Sequence, residues 1–458
     1  MLKIKVFLTA VFVLLSSVNV VASPQDITGT AYLLKERSTG RIIASYNPDM
    51  IIYPASTIKI LTALVALDYI NVDDVITVGT EIYYMPRGSS HAGHTYAEQI
   101  SGINLIRGLL LRSGNDTSNI VAAHVARIIT GEELPFPEAE KLFTDLMNEK
   151  ARYIGTTVSN FTNAHGFHDP DMFVTAYELA LISDFALNNE VIRQIASEIT
   201  FEGNSADNMA GTTRTRELSW HTTNRLLAGE FEYPHTIGLK TGFHDQAGRC
   251  LVAAAQRQNI SLISVVMGSV DPDRWTDTIR LFEYGFNNYS IRTIHNPNEP
   301  IISITIENPR WGDPYTIETF GTESFSFFLT AQEYDDIVRT IIYNDDIANI
   351  DEDGAVYFLA PLSYGDVIGT VTYTLDGVEL FRDTIVLTEN VLAWSVIYSI
   401  IYVIGLLRDD PFSIIGAAFL FGFGFTIIVL YQIVKICVTI SRRRSRTRRF
   451  RQNKFRFK

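Results

Sequence analysis

Apolar residues in this chain alternate with polar ones near both ends of its first 290 positions and recur at helical spacing between them. Ile27 to Glu36 and Arg41 to Tyr46 predict a strand pair around Ser38-Thr39-Gly40. Gly248 to Arg257 and Ile260 to Met267 predict a second pair around Gln258-Asn259. Ile58 to Leu67 is apolar almost throughout, which predicts a helix buried on most sides, with Pro54 just before its start. Glu138 to Arg152 has a helical pattern, and after Asp271-Pro272 the residues Trp275, Ile279, Phe282 and Phe286 repeat at helical spacing. Strands at both ends and helices between them predict an α+β fold, a sheet covered by helices.

Pro297 to Pro314 is rich in breakers and marks a boundary. Beyond its start, Ile301 to Ile306, Val356 to Leu359 and Val367 to Leu375 are short β-type runs, with a tight turn at Leu375-Asp376-Gly377. A small β-rich domain is expected there. No catalytic grouping falls in it, and a spacer or docking role fits.

The two ends read as targeting and membrane segments. Lys3 and Lys5 precede an apolar run from Val6 to Leu15 and a small-residue site ending at Ala22, the pattern of an export signal. Phe412 to Val434 is long enough to cross a bilayer, and Arg442 to Lys458 carries ten Lys and Arg and no acid. That charge places the tail on the cytoplasmic side and the folded part outside. Val391 to Leu407, with Trp394, Tyr398 and Tyr402 four apart, reads as a helix lying in the membrane interface, with a second span as the alternative. The expected organisation is residues 1–22 signal, 23–290 catalytic domain, 291–390 β-rich domain, 391–410 interfacial segment, 411–440 transmembrane helix and 441–458 basic tail. The expected arrangement is a single-pass membrane protein with its folded part extracytoplasmic.

Composition narrows the function classes. Of 458 residues, 47% are hydrophobic, enough for a sizeable core. Without the ten tail cations, 28 Lys and Arg face 51 Asp and Glu, a formal −23. So acidic a body argues against nucleic acid as a partner. The two cysteines, Cys250 and Cys437, lie far apart and imply no disulfide framework. His91 with His94, and His165 with His168, lack a compact third and fourth ligand, so no metal and no cofactor is called for.

Three short stretches carry the chemistry: Ser56-Thr57-Ile58-Lys59, Ser113-Gly114-Asn115 and Lys240-Thr241-Gly242. A serine hydroxyl is a poor nucleophile at neutral pH, and a lysine three residues on along a helix shares its face and can take its proton. That lysine must be neutral. Burial, with a second cation such as Lys240 nearby, depresses its pKa in the needed direction. A strand-borne lysine with an adjacent hydroxyl suits a carboxylate. Each motif alone is commonplace, but together they fall on a helix start, a loop between helices and a strand edge.

The chain resembles the low-molecular-mass penicillin-binding proteins, serine-type D-alanyl-D-alanine carboxypeptidases. Pro54 to Lys59, Leu111 to Asp116, Ala164 to Phe167, Thr175 to Ala180, and Lys240 to Gly242 followed by Ala247-Gly248 carry the likeness. The resemblance implies the penicillin-recognising, β-lactamase-like serine transferase fold, with peptidoglycan stem peptides as substrates and β-lactam antibiotics as acylating ligands. It implies Ser56 as nucleophile, Lys59 as its base and Ser113 as a proton relay. Asn115, Lys240, Thr241, Gly242 and Phe243 would bind substrate, with the N–H groups of Ser56 and Phe243 forming the oxyanion hole. One departure stands out: His244 follows Phe243 where that family more often has a small hydroxyl residue.

A DD-endopeptidase or β-lactamase of the same fold is the alternative enzyme, and a membrane β-lactam sensor the non-enzymatic one. A β-lactamase calls for a placed glutamate; Glu149 lies at a plausible distance, but the helical pattern from Glu138 to Arg152 predicts it to be a surface residue. The Pro86 to Gly93 loop is either a rim of the cleft or an ordinary solvated loop.

Overall fold

The computed structural model describes residues 24, 26–207, 214–310, 313–397 and 428–436. The strand-rich start comprises β1 (Ala31–Glu36) and β2 (Ile42–Tyr46), followed by helix α1 (Lys59–Tyr69). Next come β3 (Val75–Thr77), β4 (Glu98–Ser101), α2 (Gly102–Leu110), α3 (Asn115–Thr130) and α4 (Phe136–Ile154). The chain continues through α5 (Ala176–Ala186), α6 (Glu190–Ala196), β5 (Thr200–Asp207) and β6 (Arg214–His221). It closes this part with β7 (Thr236–His244), β8 (Gly248–Arg257), β9 (Ile260–Ser269) and α7 (Asp273–Asn288).

The central sheet is antiparallel in the order β2-β1-β9-β8-β7, so the first hairpin and the last three strands join although some 200 positions separate them. Both predicted hairpins form in this sheet. Alternation splits its side chains between two cores. Ala31, Leu33, Val252, Ala254, Ile263 and Val265 pack with α1, whereas Tyr32, Leu34, Leu251, Ala253, Leu262 and Val266 pack with Trp275, Leu281 and Phe282 of α7. A sheet covered on both faces explains why these strands read as nearly continuous apolar runs. A smaller sheet, β3-β4-β5-β6, lies in the same unit.

Helix α1 buries Lys59 through Ala66, eight successive residues, as its all-round apolar sequence requires. The chain enters it through a 3₁₀ turn, Ala55–Ile58, which holds Ser56 just ahead of the α-helix proper. The compact unit containing these elements is residues 1–292 together with 327–335.

The second unit holds residues 293–326 and 336–458. Its sheet has seven strands in the order Val338–Tyr343, Val367–Leu375, Val378–Leu387, Thr316–Phe320, Ile302–Glu307, Val356–Leu359 and Ala348–Ile350. Ile304, Ile306, Phe358, Val371 and Ile385 are among its core residues. Inside this unit His295 bridges the Tyr373 hydroxyl and the Asp383 carboxylate, at 2.9 and 3.0 Å. Asp383 also accepts from the backbone N–H groups of Thr322, Glu323 and Thr384, which fixes a turn rather than building a reactive centre.

Among the described residues no helix is long and apolar enough to cross a membrane. The predicted signal lies outside the described residues, as do the basic tail and most of the predicted span. Residues 428–436 are helical.

Candidate active site

Ser56, Ser113, Asn115, Thr241, Gly242 and Phe243 line one cleft of about 580 Å³. Lys59 and Lys240 stand behind its wall, both fully buried. The three motifs therefore converge from three separate elements.

Two close packings set the position of Ser56. A β-carbon on Gly166, whose φ is +82°, would sit 2.1 Å from the Ala55 carbonyl oxygen, and one on Gly242 would sit 3.2 Å from the Ser56 nitrogen. Strand β7 and the loop at Gly166 thus press the 3₁₀ turn from two sides, which only residues without a side chain permit. Ala55 takes φ +50° within this clamp.

Lys59 Nζ donates to Ser56 Oγ at 3.0 Å, to Asn115 Oδ1 at 2.8 Å and to the His165 carbonyl at 2.6 Å. Burial pulls its pKa well below the ordinary lysine value; Lys240 pulls in the same direction and Asp116 opposes. His165 is itself held neutral, its pKa driven down to about 3 by burial and by Lys59. The part of His165 that meets Lys59 is its backbone carbonyl rather than its ring.

Ser113 sits in the loop between α2 and α3 with φ +58°, a left-handed conformation costly for a residue with a β-carbon. Ser90 holds it there: its hydroxyl donates to the Ser113 carbonyl at 2.6 Å, and its own carbonyl accepts from the Asn115 N–H at 2.9 Å. Asp116 takes N–H bonds from Ala92, Gly93 and His94, at 2.8 to 3.0 Å. The Pro86 to Gly93 loop is thereby tied to α3, and Gly88, Ser89 and Ser90 form part of the cleft. It is a rim of the cleft.

Lys240 donates to the Thr241 carbonyl at 2.9 Å, and burial, reinforced by Arg274, lowers its pKa to about 7. Among the cleft residues that escaped the sequence reading are Thr223, Arg274 and Arg249. Thr223 meets Thr241, hydroxyl to hydroxyl, at 2.8 Å. Arg274, from α7, donates to the Gly242 carbonyl at 3.3 Å, and burial lowers its pKa only to about 10, so it stays charged. Arg249 lays its guanidinium over the Phe243 ring at 3.6 Å. A strand edge bearing Lys240 and Thr241 beside Arg274 forms a positively charged end of the cleft, suited to an anion.

No cluster of three metal-ligating side chains occurs among the described residues. His94 is instead buried against Glu98 and Thr117, at 3.4 and 3.1 Å. Glu149 is exposed and lines a separate depression with Asp68 and Lys150.

Known proteins resemble this chain in sequence and in fold. The peptidase S11 family, described as D-alanyl-D-alanine carboxypeptidase, matches residues 18–271. The chain is 27% identical over 322 residues to the D-alanyl-D-alanine carboxypeptidase DacF of Bacillus subtilis, covering 69% of this chain and 76% of that protein. It is 30% identical over 304 residues to the carboxypeptidase DacA of Haemophilus influenzae, covering 62% and 70%. Penicillin binding protein 5 from Haemophilus influenzae superimposes with a TM-score of 0.58 at 25% identity, over 81% of this chain and 99% of that one. A DD-transpeptidase of Streptomyces K15 superimposes with a TM-score of 0.53 at 26% identity, over 58% and 99%. The chain belongs to the peptidase S11 family, the D-alanyl-D-alanine carboxypeptidases.

Proposed function

We propose that Ser56, Lys59 and Ser113 carry out the D-alanyl-D-alanine carboxypeptidase reaction of this chain on peptidoglycan stem peptides. The observation that carries these roles is the 3.0 Å contact between Ser56 Oγ and a fully buried Lys59 whose pKa is depressed. Neutral Lys59 takes the Ser56 proton as Oγ attacks the carbonyl carbon of the penultimate D-alanine. The oxyanion is received by the N–H groups of Ser56 and Phe243, a pairing supported by the close packing of Gly242 on the Ser56 turn. Ser113 passes the proton to the leaving nitrogen, the C–N bond breaks, and D-alanine departs. Water then hydrolyses the acyl-Ser56 ester with Lys59 as base.

Asn115 holds both Lys59 and the substrate's peptide group. Lys240, Thr241 and Arg274 receive the terminal carboxylate, and Gly242 lets the substrate strand approach β7. β-Lactams acylate Ser56 by the same attack, but their amine stays tethered and blocks deacylation. A β-lactamase is disfavoured because Glu149 is exposed and away from the cleft.

The catalytic domain is placed outside the cytoplasm, held by residues 411–440 with the basic tail inside. Ile428, Leu430, Ile433, Val434 and Ile436 are all exposed on the helical stretch 428–436, which supports a lipid-facing surface. The test is D-alanine release from a stem peptide ending in D-Ala-D-Ala by wild type and Ser56→Ala. Release by wild type alone is expected. Labelling of Ser56 by penicillin without D-alanine release would overturn the carboxypeptidase assignment.

A further inference from the structure

We infer that the rings of Tyr53, His168 and His244 form a wall that closes the leaving-group side of the cleft, so that the enzyme accepts a terminal D-alanine and rejects cross-linked stem peptides. The inference rests on the reaction proposed above. Both substrate types present the same scissile bond. In each, Ser56 Oγ bonds to the carbonyl carbon, the C–N bond breaks and the amine gains a proton. They differ only in what the leaving amine carries: one methyl-bearing residue, or a side chain leading to a second peptide. Discrimination must therefore be steric and must act just beyond the carboxylate-binding end of the cleft.

That is where the three rings stand. His244 ends β7, three residues past Thr241, and lines the cleft together with His168. Their ring centres are 5.3 Å apart, and His168 meets Tyr53 edge-on at 4.7 Å. Tyr53 faces a second pocket of about 410 Å³, lined also by Met50, Ile52, Phe173 and Ala247. Gln246 borders both spaces, so they adjoin, with Tyr53 lining one and His168 and His244 lining the other.

The wall is braced rather than mobile. His244 Nδ1 accepts the Ala247 N–H at 3.1 Å, which fixes the ring and leaves Nε2 to carry its proton. His168 Nδ1 is buried with no hydrogen-bond partner among the described residues, which marks the ring as held by packing. The second pocket has no charged lining residue, so it could take the aliphatic part of a longer leaving chain if the wall were opened. A small hydroxyl residue at 244 would open it.

The experiment compares full-length wild type, His244→Thr and His168→Ala in detergent. Each is assayed on a monomeric stem peptide ending in D-Ala-D-Ala and on a D-alanyl cross-linked dimer, with penicillin labelling of Ser56 as the check on folding. Wild type is expected to favour the monomer strongly. Either substitution should lower the monomer-to-dimer ratio of kcat/KM by about tenfold to 100-fold, through faster dimer cleavage. Wild type cleaving both substrates at similar rates, or an unchanged ratio in both penicillin-labelled variants, would overturn the wall while leaving the carboxypeptidase reading intact. Failure of labelled wild type to cleave either substrate would defeat that reading and this inference with it.

Discussion

Replacing Lys240 by methionine should stabilise the protein in acid and cripple the enzyme. The lysine is fully buried, and among the described residues its ammonium makes a single hydrogen bond, to the Thr241 carbonyl. Burial lowers its pKa from 10.5 to about 7, and Arg274 adds to the shift. At about 1.4 kcal/mol for each pH unit between those values, the buried charge costs the folded state roughly 5 kcal/mol. The sign follows from proton binding. Below pH 7 the lysine is protonated both folded and unfolded, and the cost is present in full. Between about 7 and 10.5 the unfolded chain binds more protons, so stability climbs with pH; above that range the lysine is neutral in both states.

Methionine keeps the aliphatic volume without the charge, and its introduction also relieves Lys59, which Lys240 depresses. Lys240→Met should therefore melt about 10 °C above wild type at pH 6, and the gap should close by pH 10. Thermal unfolding of the full-length chain in detergent at pH 6, 8 and 10 measures this, with KM for the D-Ala-D-Ala peptide rising at least about tenfold in the same variant. An offset that stays constant across the pH range would refute the reasoning, because packing alone has no reason to follow proton uptake.

Asp116 raises the Lys59 pKa, so Asp116→Asn should shift the acid limb of kcat/KM to lower pH. The same change weakens the bonds to Ala92, Gly93 and His94 and should cost about 1–3 kcal/mol, read by denaturant unfolding. Gly166→Ala places a methyl 2.1 Å from the Ala55 carbonyl at φ +82°. It should slow penicillin acylation of Ser56 at least about 100-fold, because a small displacement of Ser56 is enough.

Much of the catalytic unit is legible in the chain because its signals are local. The apolar run after Pro54 becomes α1, buried through eight residues, and the two strand pairs flanking the helices become the outer and inner strands of one sheet. Ser56 and Lys59 are neighbours because three residues of helical turn bring them together, a consequence of geometry that every helix shares. The interpretation of the Pro86 to Gly93 loop stays open at that level, since nothing local says that Asp116 will gather its N–H groups.

By itself, then, the amino-acid sequence determined the helix and strand periods, the three motifs and the unusual His244. Only the tertiary structure decided which distant groups complete the site. Arg274 reaches the Gly242 carbonyl from a helix some 30 positions on, Ser90 braces Ser113, and the His165 carbonyl holds Lys59. The rings of Tyr53, His168 and His244 meet from three separate segments. Periodicity records which face of an element is buried. Which elements meet across that face depends on the path of the whole chain, and no short stretch of sequence contains it.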